Sequence, residues 1–324
     1  MLAHHESIVV PQESLLFKMF WSSRFRYGDL SLRENQTVLL RDMLATRIIG
    51  YWEPKPTLRD AASLLSRPGF GGAVEALILA TAQGRPVTHW GEKSPGHVFY
   101  WRAVKECFPE AKVVHILRDG RDVALSLLKA RMGPKSFYAA ARLWRDYVNE
   151  MQRVRDNWDP RRFVQVRYED LLAEPETTLR SICDTLDVSF SDRMLRFFEN
   201  KSRYVTDAVN SANLHHRVLS DNKDKWRTAM SPSQLAEFEV AAFDCLRANG
   251  YETVSDGRAL SPARIAFIQW ISSPIRRLKS RARDIQGQRE FLNLTTIKTR
   301  RAVLRLIGRV TGSASAQRCS GASN

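Results

Sequence analysis

Residues 113–129 read VVHILRDGRDVALSLLK. An apolar run ends in a dense knot of two arginines and two aspartates, and an amphipathic stretch follows, the signature of a buried strand turning directly into a helix. At the carboxyl edge of a parallel sheet such a turn gathers backbone N–H groups and the positive end of the helix dipole, which makes an anion site. Arg118 leaves the strand at that edge. Ser126 follows eight residues later, about one turn into a helix that starts at Asp122, so a guanidinium and a hydroxyl are able to face one phosphate. The plainer alternative is that Arg118, Asp119, Arg121 and Asp122 cap the helix and pair with one another.

Outward from this stretch, short apolar runs alternate with segments of helical period up to about residue 255, the pattern of a parallel sheet covered by helices. Strands are expected at PVTHW (86–90), KVVHIL (112–117) and RFVQVRY (162–168). Helices are expected over 96–108, 122–130, 136–156, 177–186 and 233–248, the last opening with the capping pattern SPSQLAEFE. The glycines of GFGG, 69–72, lack a strand before and a helix after and read as a flexible loop.

With 324 residues, 44% of them apolar and 26% charged, the chain is long enough for one large core or two modest ones. Cys107, Cys183, Cys245 and Cys319 show no metal-ligand or disulfide spacing, and the start MLAHHESIVV lacks the order of a signal peptide. A reducing, cytoplasmic setting without a metal is the expectation. Residues 256–324 hold fourteen Lys/Arg against three Asp/Glu, so this stretch supplies +11 of the chain's net +15. The chain therefore divides into a body, 1–255, and a basic extension, 256–324. In the extension Arg301, Arg305 and Arg309 form a basic stripe beside an apolar face of Val303, Leu306, Ile307 and Val310, while Phe267, Trp270, Ile271 and Leu278 suggest an earlier amphipathic segment. Peripheral contact with an anionic membrane is the reading this favours, with packing on the body as the alternative. Nucleic-acid binding is not expected, because no recognition motif accompanies the charge.

The string WGEKSPGHVFYWRAVKECFPEAKVVHILRDGRDVALSLLK, with AARLWRDYV, VRYEDLLAEPETTLRSICDTLDV and DKWR after it, resembles the sulfotransferase family that uses 3′-phosphoadenosine 5′-phosphosulfate (PAPS) as donor. The likeness runs from about residue 4 to 251 and is strongest to bacterial and tyrosylprotein-type members. It implies an α/β fold, a P-loop NTPase-like parallel sheet flanked by helices, and sulfuryl transfer to a hydroxyl or amine of a small-molecule, glycan, lipid or peptide acceptor. By position, Arg118 and Ser126 match the pair that holds the donor's 3′-phosphate. Tyr168 matches a tyrosine near the nucleotide, and Lys225 a lysine of the late loop that closes over it. Lys93 in GEKSP matches the lysine near the transferring group, and Glu13 in HHESIVVPQES the candidate general base. Residues 18–72 and 201–222 are the loops expected to line the acceptor pocket.

One family feature has no counterpart upstream of Glu13: the strand and PRSGTT-type loop that hold the 5′-phosphosulfate. This departure leaves two expectations: a start internal to a longer protein, or a truncated paralogue, which would be a catalytically inactive remnant of the fold that binds a membrane or a partner.

Overall fold

The computed structural model describes residues 1–130, 133–199 and 221–255, with a few isolated positions between and after them. Strand β1 (Ile8–Val9) pairs in parallel with β2 (His89–Trp90), and β3 (Val113–Leu117) pairs in parallel with β4 (Phe163–Arg167). In the second ladder Val113 lies opposite Phe163 and Leu117 opposite Arg167. The strands pair as these two separate ladders. Among the described residues β3 is paired along one edge, and Ile116 near its end is 52% exposed.

Helices fill the rest of the described body. The first group is α1 (Leu16–Phe20), α2 (Arg33–Leu44), α3 (Leu58–Ser63) and α4 (Gly69–Leu79). After β2 come α5 (Trp101–Cys107), then α6 (Gly120–Lys129) and the long α7 (Phe137–Asn157). After β4 come α8 (Tyr168–Ala173), α9 (Pro175–Leu186), α10 (Trp226–Ala229) and α11 (Pro232–Ala248). None of these helices is long and apolar enough to cross a membrane.

The expected elements are present, with shifts that have local causes. The strand expected at 86–90 shortens to His89–Trp90, since Pro86 has no N–H to give a ladder. The helix expected from 122 begins two residues earlier, because the Asp119 carboxylate caps it by accepting the Arg121 N–H. α11 carries a full capping box between Ser231 and Gln234, as SPSQ suggests.

Two expectations are corrected. GFGG is not a loop but the first turn of α4. Its glycines serve close packing: a Cβ on Gly72 would lie 1.9 Å from the Arg67 carbonyl oxygen, and one on Gly71 3.0 Å from Cys107 Cβ. Much of 18–72 is likewise helical rather than loop, and its apolar faces supply Leu39, Leu40, Met43 and Trp52, all at 0% exposure, to the larger core. The amphipathic segments expected at 267–278 and 301–310 lie outside the described residues, as does most of 201–222.

A second core joins α6, α7, α10 and α11 through Ala124, Ala140, Trp144, Trp226, Phe238 and Leu246. Inside it sits Arg121, 1% exposed. Its guanidinium reaches Asp119 at 2.7 Å and Glu239 of α11 at 3.3 Å, and it stacks 3.5 Å from the Trp226 ring centre. Glu239, fully buried, also accepts the N–H groups of Val254 and Ser255. A charge this deep is held only by complete pairing.

Replacing Glu239 by Gln should therefore lower the unfolding free energy by about 3–5 kcal/mol, the usual cost of breaking a buried ion pair. Urea denaturation checks this, with Arg161→Ala at the exposed Asp159 pair expected to leave the midpoint unchanged.

Candidate active site

The β3–α6 corner divides the charge knot into two jobs. Asp119 and Arg121 turn inward, as the plain reading of the sequence has it. Arg118 and Asp122 turn toward the carboxyl edge of the strands, 3.8 Å apart. The corner is braced from β4 and α8 by Glu169, whose carboxylate accepts the Asp119 N–H at 2.9 Å.

Around Arg118 the structure gathers Tyr168 and the chain just before Lys225. The guanidinium lies 4.6 Å from the Tyr168 ring centre and donates from Nη2 to the Asn222 carbonyl at 2.9 Å. The Asn222 amide in turn donates to the Tyr168 hydroxyl at 2.8 Å. Asp122 Oδ1 accepts the Trp226 N–H at 3.0 Å, which ties α10, and with it the position of Lys225, to the start of α6. Burial pushes the Asp122 carboxyl up, opposed by the Trp226 N–H and the Arg118 charge. Arg118 Nε and Asp122 Oδ2 are buried without a hydrogen-bond partner. Ser126 and Lys225 are exposed, on α6 and at the start of α10, and neither hydrogen-bonds Arg118.

A second group forms where the segment after β1 meets the segment after β2. Lys93 Nζ lies 3.9 Å from Glu13 Oε2, with the side chains 66% and 39% exposed. Beneath them Glu92, 13% exposed, accepts the hydroxyls of Ser14 and Ser94 on Oε1, each at 2.5 Å. Its Oε2 lies 2.7 Å from His97 Nδ1. The Ser94 hydroxyl oxygen accepts the N–H groups of Ser14 and Leu15 at 3.1 and 3.0 Å, and His97 Nε2 accepts that of Phe17 at 3.3 Å. The Trp52 indole donates to the Glu13 carbonyl at 3.2 Å.

The two groups are linked through α7. The Trp144 indole donates to the Arg118 carbonyl at 3.0 Å. Tyr147, one turn further along the same face, meets Phe99 edge-on at 4.8 Å. Burial and the nearby Glu13 charge together push the Tyr147 hydroxyl up. The sequence pointed to Glu13, Lys93, Arg118 and Tyr168 but not to Glu92, Ser94, His97 or Asn222. For the first three the signal was in GEKSPGH itself, where a glutamate, a serine and a histidine flank Lys93.

A family model, described as the sulfotransferase family, matches residues 1–192. The chain belongs to the sulfotransferase family. It is similar to the omega-hydroxy-beta-dihydromenaquinone-9 sulfotransferase Stf3 of Mycobacterium tuberculosis, 27% identical over 36% of this chain and 34% of that protein. A putative protein-tyrosine sulfotransferase of Caenorhabditis briggsae is 24% identical over 57% of this chain and 69% of that protein. The chain spans about a third of the length of Stf3 and 18% of that of an uncharacterised Aquifex aeolicus protein that it also matches. Among solved structures, the sulfotransferase domain of the Synechococcus PCC 7002 olefin synthase superposes with a TM-score of 0.55 at 21% identity, covering 78% of this chain and 88% of that domain. That likeness establishes the α/β sulfotransferase fold.

Burial alone would raise the Glu92 carboxyl, yet the hydrogen bonds from His97, Ser14 and Ser94 outweigh it and hold the group below its ordinary 4.5. A carboxyl depressed on folding stabilises above its unfolded pKa, and that contribution is lost as pH falls through the folded value. Glu92→Gln should thus lower Tm at pH 7, and the gap from the parent should narrow below pH 4.5. Calorimetric melts at pH 7 and in acid measure the difference.

Proposed function

We propose that this sulfotransferase moves a sulfuryl group from PAPS to a hydroxyl acceptor, with Glu13 and Lys93 at the reacting centre and Arg118, Ser126, Tyr168 and Lys225 around the nucleotide. The observation that carries the reading is the meeting of Glu13 and Lys93 at 3.9 Å, linked by α7 to the corner that bears Arg118. In an in-line displacement the Glu13 carboxylate takes the proton of the acceptor O–H as its oxygen bonds to sulfur. The bond between sulfur and the bridging oxygen of the nucleotide breaks, and the Lys93 ammonium stabilises the charge growing on that oxygen.

At the donor end, Arg118 has a stacked guanidinium and a buried Nε that still lacks an acceptor, which suits a phosphate oxygen. Tyr168 holds that guanidinium from one face. The acceptor is proposed as a small-molecule, glycan, lipid or peptide hydroxyl, a range that takes in the acceptors in the names of the menaquinone and protein-tyrosine relatives. The basic extension offers a contact to anionic membrane that would suit a lipid acceptor.

Incubation of the full chain with sulfur-35-labelled PAPS and a tyrosine peptide, an N-acetylglucosamine oligosaccharide and a polyprenyl alcohol should label at least one of them. Arg118→Ala should weaken 3′-phosphoadenosine 5′-phosphate by roughly 1.5–3 kcal/mol in calorimetry, the worth of a hydrogen bond to a charged group. Glu13→Gln should keep that affinity while turnover falls by about two to four orders of magnitude. No labelled product together with no nucleotide binding would overturn the reading.

A further inference from the structure

Glu13 and Lys93 are too exposed to hold each other in place. An ion pair at this accessibility contributes about 0–1 kcal/mol and leaves two long side chains free to wander. What fixes their separation has to lie in the backbone that carries them.

That backbone is locked from beneath. Lys93 lies between Glu92 and Ser94, and Glu13 directly precedes Ser14. The hydroxyls of Ser14 and Ser94 converge on one oxygen of Glu92, while Ser94 receives the N–H groups of Ser14 and Leu15. Leu15 sits at φ 55°, a left-handed conformation that a leucine adopts only under constraint. Those two N–H bonds supply the constraint.

His97 completes the lock in one protonation pattern. Its Nε2 accepts from the Phe17 N–H, so the ring proton is on Nδ1 and is donated to Glu92. Each donor in the network has one acceptor and no position is left for a second arrangement. Only an ionised carboxylate, accepting on both oxygens, satisfies all three side-chain donors at once.

We infer that Glu92 is a positioning residue: through Ser14, Ser94 and His97 it fixes the chain bearing Glu13 to the chain bearing Lys93 and so sets the distance between base and cation. The inference rests on the roles proposed for Glu13 and Lys93.

A double-mutant cycle tests it. Glu92→Gln puts an amide N–H against a donor, and Ser94→Ala removes the acceptor of two N–H groups. Each should lower kcat roughly tenfold to hundredfold, the scale of an ångström-sized misplacement, while the Kd of 3′-phosphoadenosine 5′-phosphate stays at the parent value. In a Glu13→Gln background the same changes should cost little more, because there is no base left to misplace. Ser94→Thr, which keeps the hydroxyl, should restore turnover. Losses that add fully in that background, or that fall on nucleotide affinity, mark a merely structural role and overturn the inference. Parent-like turnover in Glu13→Gln itself would instead overturn the proposed base. Two measurements need no acceptor. Proton–nitrogen correlation spectra should find His97 protonated at Nδ1, and a crystal structure of Ser94→Ala should show the 3.9 Å separation widened. An unchanged separation, or His97 protonated at Nε2, overturns the inference.

Discussion

The described body is organised around a guanidinium that has nowhere to go. Arg121 is 1% exposed, and removing such a charge from water costs several kcal/mol unless every partner is in place. Its partners come from three places: Asp119 at the β3–α6 turn, Glu239 on α11 and the face of Trp226 at the start of α10. Meeting that demand fixes the turn, α11 and the start of α10 relative to one another. Because Glu239 also takes the N–H groups of Val254 and Ser255, the same contact holds that segment against α11.

The edge residues of the knot gain their geometry from this burial. With Asp119 and Arg121 turned inward, Arg118 and Asp122 are left at the carboxyl edge, where the helix dipole and the open strand ends favour an anion. Trp226 shows the coupling directly: its ring covers Arg121 while its N–H is held by Asp122. A change in the core pairing would therefore reach the Asn222–Tyr168–Arg118 contacts without touching them.

How much of this was legible depended on where the determining contacts lie in the chain. β3, α6, β4 and the cap of α11 could be read because their causes are local: β-branched runs, an Asp before a helix, Ser-Pro-Ser-Gln. β1 could not, since two residues carry almost no periodic signal, and GFGG misled because its glycines answer to Arg67 and Cys107, the latter distant in sequence. The knot itself gave two readings, of which the pairing one is seen for Asp119 and Arg121, while the anion-binding one remains a proposal for Arg118. Which half turns inward is decided by Glu239, more than a hundred residues away. Glu92, Ser94 and His97 stood beside Lys93 in the sequence, but their meaning depends on Ser14 and Phe17, some eighty residues earlier.

The two halves of the site follow one physical scheme. In each, the groups proposed to meet substrate are at least partly accessible, and the carboxylates behind them are buried and hydrogen-bonded on both oxygens. Exposed side chains hold position poorly on their own, whereas a buried carboxylate that must satisfy three donors has few alternative arrangements. Glu239 does this for Arg121, two residues along the turn from Asp119 and three from Arg118, and Glu92 does it between the segments that bear Glu13 and Lys93. The arrangement separates two requirements that conflict in a single residue, because a base must meet solvent and substrate, while a scaffold must exclude both. It also predicts which substitutions are tolerated: changes at the tips alter chemistry and leave the fold, whereas changes at either buried carboxylate displace tips they never contact.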